Sequence, residues 1–391
     1  ICWEKKSMEE AISQGRQNIY GDIWPTMIVE LQPPLGIVVW EWHLWDHLIQ
    51  DINPDYPNYG NIADHPELFN INLGNPVSNV NGDWLHVNAI DYNEELDQII
   101  FSSRHMNEIY IIDHSTTSEE AASHSGGNSG KGGDFLYRWG NPMNYNQGTN
   151  YDTRIIAPHA VNWIDKNFPG YGNILIFNNN PETGNYGVSS EVIEITPPID
   201  IYGNYSLDDE FKFGPDSVIW NHGGDSSFYS GWQSSAYRLS NGNTLITSSQ
   251  ERYIFEVDNE NNILWQCHSG GNLGLFGYPL RTIKIEPDFF LDKADENFIR
   301  EYKLYDNYPN PFNPSTTLQY NLPNDEYVTI TIYDILGNVV NNLVNKYMSA
   351  GYNSIQWHGS DNKGQQVSSG VYFYIIEAGD FIQTRKMALI K

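Results

Sequence analysis

His86-Val87-Asn88-Ala89-Ile90, Gln98-Ile99-Ile100-Phe101-Ser102-Ser103, Glu108-Ile109-Tyr110-Ile111-Ile112-Asp113 and, further on, Phe135-Leu136-Tyr137-Arg138-Trp139 decide the fold. Each is a short apolar run, rich in β-branched and aromatic residues and bounded by polar turn-formers. That is the pattern of successive strands, and no helical period competes with it.

The same order returns twice. A second unit begins at His159 and continues through Gly172-Asn173-Ile174-Leu175-Ile176-Phe177-Asn178, Glu191-Val192-Ile193-Glu194-Ile195 and Val218-Ile219-Trp220. A third runs Ala236-Tyr237-Arg238-Leu239, Gly242-Asn243-Thr244-Leu245-Ile246-Thr247, Ile254-Phe255-Glu256-Val257-Asp258 and Ile263-Leu264-Trp265. Upstream, Met27-Ile28-Val29-Glu30-Leu31 and Ile37-Val38-Val39-Trp40-Glu41-Trp42 match the last two strands of an earlier unit, and Ile1-Cys2-Trp3-Glu4 its second. A repeated four-stranded unit predicts an all-β chain built as a β-propeller. The first unit lacks its innermost strand, so the ring is expected to be N-terminally truncated, with Thr282-Ile283-Lys284-Ile285 as the candidate closing strand.

After this region the composition changes. Glu286 to Glu301, with Asp288, Asp292, Asp295 and Glu296, reads as a solvated linker. From residue 302 the pattern is that of a small Ig-like β-sandwich: Tyr308-Pro309-Asn310-Pro311-Phe312-Asn313-Pro314 leads into alternating strands such as Val328-Thr329-Ile330-Thr331-Ile332-Tyr333 and Val371-Tyr372-Phe373-Tyr374-Ile375. The expected organisation is therefore a propeller over 1–285, a linker over 286–301 and a sandwich over 302–391.

Composition narrows the function. With 49 Asp plus Glu against 21 Lys plus Arg, the net charge of −28 repels nucleic acid and anionic membrane surfaces, and leaves few cationic side chains for an anionic substrate. No apolar run approaches the roughly 20 residues of a membrane span. Ile1 to Glu4 lacks the basic start of a signal peptide, so the expectation is a chain that has lost a leader or begins within a domain. Two cysteines, Cys2 and Cys267, exclude a disulfide-rich scaffold and a cysteine zinc cluster; one bridge is allowed, two unrelated thiols being the plainer reading. His43 and His47 have helical metal-site spacing but lack the glutamate after the first histidine, and Ser125 to Gly133 lacks the first glycine and the final Ser or Thr of a phosphate loop. The latter reads as a flexible insertion, and neither a cofactor nor a metal is expected.

Two units open on histidine, His86 and His159, where the third has Ser234 or Ser235. Equivalent positions on successive inner strands face one channel. Arg104 ends the strand after His86, and a hairpin returns it to that histidine. One guanidinium with two imidazoles suits a tetrahedral sulfate or phosphate. The alternative is structural: histidines bonding between units, and Arg104 paired with a carboxylate.

The segments Asp83-Trp84-Leu85-His86-Val87-Asn88, Ser102-Ser103-Arg104-His105, Ile112-Asp113-His114-Ser115, Tyr137-Arg138-Trp139-Gly140-Asn141-Pro142 and Leu239-Ser240-Asn241-Gly242-Asn243-Thr244 resemble the bacterial arylsulfotransferase family over roughly residues 1 to 285. The resemblance implies a ring that is six-bladed in full and an enzyme that needs no nucleotide sulfate donor. It implies His159 as the nucleophile that accepts a sulfuryl group from a phenolic sulfate, with His86 and Arg104 holding the sulfate, before a phenol acceptor takes the group in a ping-pong cycle. The competing reading is a non-catalytic secreted propeller for adhesion or glycan binding. The tail, with Asn307-Tyr308-Pro309-Asn310-Pro311-Phe312-Asn313-Pro314, Tyr333-Asp334-Ile335-Leu336-Gly337, Ser369-Gly370-Val371-Tyr372-Phe373-Tyr374 and Arg385-Lys386-Met387, resembles a type IX secretion sorting domain. That implies type IX machinery as a partner and a secreted or cell-surface location reached through the periplasm.

Overall fold

A computed structural model describes residues 1–34, 36–74, 82–180, 189–225, 227–268, 278–284 and 302–390. The expected linker over 286–301 and Ile285 lie outside the described residues. The chain divides into two compact units, Ile1–Lys284 and Ile285–Lys391.

The first unit opens with β1 (Cys2–Trp3), helix α1 (Met8–Ser13), β2 (Thr26–Gln32) and β3 (Ile37–His43), in a sheet of order β1-β2-β3. The short strands β4 (Leu48–Ile49) and β5 (Phe69–Asn70) pair in parallel. Three four-stranded antiparallel sheets follow, each in chain order: β6 (Val87–Asn93), β7 (Gln98–Ser103), β8 (Glu108–Asp113) and β9 (Tyr137–Trp139); β10 (His159–Trp163), β11 (Ile174–Asn178), β12 (Glu191–Ile195) and β13 (Trp220–Gly223); β14 (Ser235–Arg238), β15 (Thr244–Ser248), β16 (Tyr253–Val257) and β17 (Ile263–His268). Helix α2 (Ser118–Ala121) lies in the β8–β9 connection. All of these are open sheets. The fourth strand of the second sheet starts at Trp220 rather than Val218, although the Ile219 N–H already bonds to the Glu194 carbonyl.

Burial on both faces explains the middle strands. Strand side chains alternate between faces, so a strand lying between two neighbouring sheets must be apolar at every position. In β7, Ile99 and Phe101 join the cluster with Trp40, Trp42 and Phe135 on one side, whereas Ile100 joins Ile174, Ile176 and Ile193 on the other. In β11 the alternation repeats, with Ile174 and Ile176 facing back and Leu175 and Phe177 facing Ile246 and Phe255 ahead. The sheets therefore stack face to face, and their first strands β6, β10 and β14 lie side by side.

Ion pairs within and between the sheets brace this stack. Arg138 on β9 donates from Nη2 at 2.6 Å and Nε at 3.0 Å to the Glu108 carboxylate on β8, both side chains being fully buried. Glu194 on β12 takes the Arg238 guanidinium of the next sheet and, at 2.6 Å, Nδ2 of Asn173. One sheet later Glu256 takes Asn243 Nδ2 at 2.6 Å and Lys284 Nζ at 2.8 Å. Lys284 thus stands to Glu256 as Arg238 stands to Glu194. The expected closing segment nevertheless forms no strand over its described residues, 282–284, so its ion pair rather than its backbone carries the repeat. Cys2 and Cys267 are both exposed free thiols, and the bridge is not formed.

The second unit has its own core, including Phe312, Tyr320, Ile330, Trp357 and Tyr374. Strands β18 (Lys303–Leu304), β19 (Thr316–Leu322), β20 (Glu326–Tyr333), β21 (Val339–Met348), β22 (Gly351–Trp357), β23 (Gly370–Ala378) and β24 (Phe381–Leu389) form two sheets of order β18-β19-β22 and β21-β20-β23-β24.

Truncating one member of a fully buried ion pair strands the other charge. Glu108→Ala is expected to lower unfolding free energy by about 3–5 kcal/mol, and an unchanged urea midpoint would show that Arg138 finds another partner.

Candidate functional site

The starts of the three inner strands are locally strained. His86 (φ 53°), Ala160 (φ 50°), Gln233 (φ 58°) and Ser234 (φ 85°) all have left-handed backbone. Pairing registers shift between Val87 and Ala89 and between His159 and Asn162. Strained non-glycine backbone and bulges aim side chains away from the regular pleat and cluster where function does. Here they surround one cavity of about 540 Å³, lined among others by His86, His159, Gln233, Ser235, Tyr237 and Arg281.

His159 is 8% exposed, and its protonation is fixed by its neighbours. Asn179 donates from Nδ2 to the Ser230 carbonyl at 2.6 Å and the Gln233 carbonyl at 3.1 Å, so its Oδ1 is the atom turned to the imidazole. His159 Nδ1 meets that oxygen at 2.7 Å and the Ala157 carbonyl at 3.2 Å; both accept, so Nδ1 carries the hydrogen. Nε2 then holds the lone pair, and it accepts the Gln233 N–H at 3.1 Å. Burial, with smaller contributions from the charges of Arg104 and His86, pushes the imidazole pKa down to about 4. The ring is neutral throughout the physiological range.

His86 is oriented from the other side. Its Nδ1 faces Asp83 Oδ2 at 2.5 Å, which leaves Nε2 as the nitrogen available to a ligand. The His105 ring lies 5.0 Å away, centroid to centroid. The Arg104 N–H donates to the His86 carbonyl at 3.1 Å, as the hairpin requires. Arg104 makes no ion pair among the described residues, and its buried Nε has no hydrogen-bond partner. The carboxylate partner of the structural alternative is therefore absent for Arg104, whereas His159 does bridge its sheet to the segment leading into β14.

The cavity has a second end. Asp91, farther along β6, accepts the Trp163 N–H at 2.9 Å, and burial raises its carboxyl above the usual range. The Arg281 guanidinium sits 4.4 Å from the Tyr237 ring centroid. Asn179, Asp83 and Gln233 went unassigned in the sequence. Asp83 had a signal, standing three residues before His86, but Asn179 and Gln233 reach His159 only through chain folding.

Comparisons with known proteins agree with the two-unit division. A family model described as Arylsulfotransferase (ASST) matches residues 8–270, and one described as FlgD Ig-like domain matches residues 313–380. No curated protein matches the chain. Among solved structures it is similar to FlgD from P. aeruginosa (27% identity, 19% of this chain and 58% of that one, TM-score 0.16). It is also similar to PorZ of Porphyromonas gingivalis, a surface component of the type-IX secretion system (11%, 80% and 46%, TM-score 0.23). A third is a Bacteroides caccae protein of unknown function (9%, 90% and 82%, TM-score 0.30). The chain spans less than two thirds of the first two, and at these TM-scores none bears on function.

The depressed His159 pKa has a stability consequence. As pH falls from the unfolded value of 6.5 toward about 4, the unfolded chain gains a proton that the folded one refuses, so stability drops across that window and levels off below it. His159→Gln, read by urea unfolding at pH 7 and pH 4.5, is expected to flatten this dependence by up to about 3 kcal/mol; an unaltered slope would place the titration elsewhere.

Proposed function

The chain belongs to the arylsulfotransferase family, and from that premise we propose that it moves a sulfuryl group from a phenolic sulfate ester to a phenol through His159. The observation that carries the reading is the locked tautomer: a neutral imidazole with hydrogen on Nδ1 and its lone pair on Nε2, in the cavity that His86 also lines.

In the first half-reaction Nε2 attacks sulfur; the N–S bond forms as the aryl O–S bond breaks. The departing phenolate takes a proton from His86 Nε2, whose other nitrogen is held by Asp83. Nδ1 keeps its hydrogen, and the positive charge arising on the sulfonated ring is eased by Asn179 Oδ1. Arg104, whose charge reaches His159, offsets sulfate charge. The Gln233 N–H must leave Nε2 when sulfur arrives, and it then faces a sulfate oxygen. In the second half-reaction a phenol oxygen attacks sulfur, the N–S bond breaks, and His86 recovers the proton. No step requires a nucleotide donor.

The repeated sheets, the adjacent first strands and the equivalent pairs Glu194–Arg238 and Glu256–Lys284 support a propeller whose axial channel is this cavity. We also assign residues 302–391 to export by type IX machinery, on the strength of the motifs quoted above; deleting them in a host that carries this machinery should leave the protein in the periplasm, and undiminished surface display would refute the assignment.

Nitrophenolate release from nitrophenyl sulfate, with and without phenol, tests the chemistry. Acceptor-stimulated turnover is expected, falling at least about 1,000-fold in His159→Ala. Turnover that survives this substitution removes His159 from the reaction, and none across a donor panel, with glycan binding present, favours the adhesive reading supported by the Gln233–His159 bridge.

A further inference from the structure

Away from this cavity, three metal-ligating groups converge where the glycine-rich insertion meets the first sheet. His47 Nδ1 and His124 Nδ1 each lie 2.7 Å from the same oxygen, Asp134 Oδ1. One ligand atom from each residue falls within 4.8 Å of the others. His47 and Asp134 are buried, and the His124 side chain is 61% exposed.

The surroundings hold this arrangement. His47 Nε2 lies 2.8 Å from the Ala121 carbonyl, an acceptor, so that nitrogen bears hydrogen and Nδ1 is left for the shared point. A histidine whose far nitrogen donates to a backbone carbonyl is the usual outer support of a metal ligand. Trp42 stacks on the His47 ring, 5.7 Å between centroids and 4° from parallel, and its Nε1 donates to the Gly133 carbonyl at 2.7 Å. A Cβ on Gly133 would stand 2.0 Å from the Ala121 carbonyl oxygen and 2.6 Å from His47 Nε2, so only glycine lets the chain deliver Asp134 to this place.

We propose that His47, His124 and Asp134 bind a zinc-type divalent ion that pins the insertion between α2 and β9 to the segment between β3 and β4. Two imidazoles and one carboxylate are a borderline donor set suited to zinc, with a fourth position left for water. Ligand bonds of about 2.0–2.2 Å require the two N···O separations to open to about 3.3 Å. His124, on its exposed loop, supplies the movement on its side, and the buried His47–Asp134 pair must open within its surroundings. His124 also borders a cavity of about 310 Å³, together with His65 and Asp46. The site departs from the sequence expectation of no metal: His47 finds its partners in the insertion and not in His43, which lies beside Glu4 and Glu41.

The other filling of the same contacts is protons alone, and metal content separates the two. Untagged full-length protein incubated with zinc and desalted is expected to retain about one zinc per chain, and cobalt in its place to give the intense visible absorption of a four-coordinate ion. His124→Ala, an exposed substitution that spares the core, should weaken zinc binding at least about 100-fold. Asp83, His86 and His105 form a second cluster of ligating atoms, so His105→Ala is the control and should retain the metal. No retained zinc, equal retention by His124→Ala, or loss confined to His105→Ala each overturns the proposal.

Discussion

The first unit depends on burying its middle strands on both faces. β7 and β11 contribute to two cores at once, so neither strand has a face that tolerates water. This constraint explains why these strands read as unbroken apolar runs rather than as alternations. It also means that each sheet completes its neighbour, so charged residues entering the stack must be paired. Arg138 meets Glu108, and Arg238 meets Glu194.

Stacking by the faces turns the first strands toward one another, and the site follows from that. Backbone at the start of each inner strand cannot be regular, because His86, Ala160, Gln233 and Ser234 adopt left-handed conformations that L side chains resist. The stacked cores hold them there. What the strain secures is convergence: a histidine from the first sheet, a histidine from the second and a backbone N–H from the approach to the third all border the same cavity. Asn88 adds a direct tie, its Nδ2 donating at 2.9 Å to the Pro158 carbonyl just ahead of His159.

Strands were legible because their signal is local. The four-strand order, the opening histidines and the return of Arg104 to His86 all depend on residues close in sequence. What could not be read depends on long-range geometry. Asn179 reaches His159 from the end of β11, and its orientation is set by carbonyls of Ser230 and Gln233 in the next connection. Nothing near residue 179 announces that role. Likewise the insertion over 125–133 reads as flexible because it is glycine-rich, yet Gly132 and Gly133 pack against backbone and the His47 ring at distances only glycine permits. Composition recorded the absence of side chains, and packing was the reason for it. The closing segment differs in the opposite sense: Thr282-Ile283 reads as a strand, but over the described residues 282–284 no strand forms and Lys284 carries the repeat's interaction.

Charge links the fold to the chemistry. A chain with a net charge of −28 meets a sulfate ester poorly over most of its surface, so an anionic substrate is drawn only where cationic groups outweigh carboxylates. In the cavity Arg281 rests on Tyr237, and the Arg104 backbone N–H is bonded to the His86 carbonyl. Burial disfavours a proton on His159, and the charges of Arg104 and His86 add to that effect. For the proposed reaction one arrangement would therefore serve two needs that otherwise conflict: cationic groups for the anion, and an unprotonated Nε2 on His159. A solvated histidine beside a carboxylate would hold its proton more readily and be the weaker nucleophile. The proposed reaction fits this division: the partner of His159 Nδ1 is the uncharged amide of Asn179, while the aspartate stands behind His86, the proton donor of the proposal.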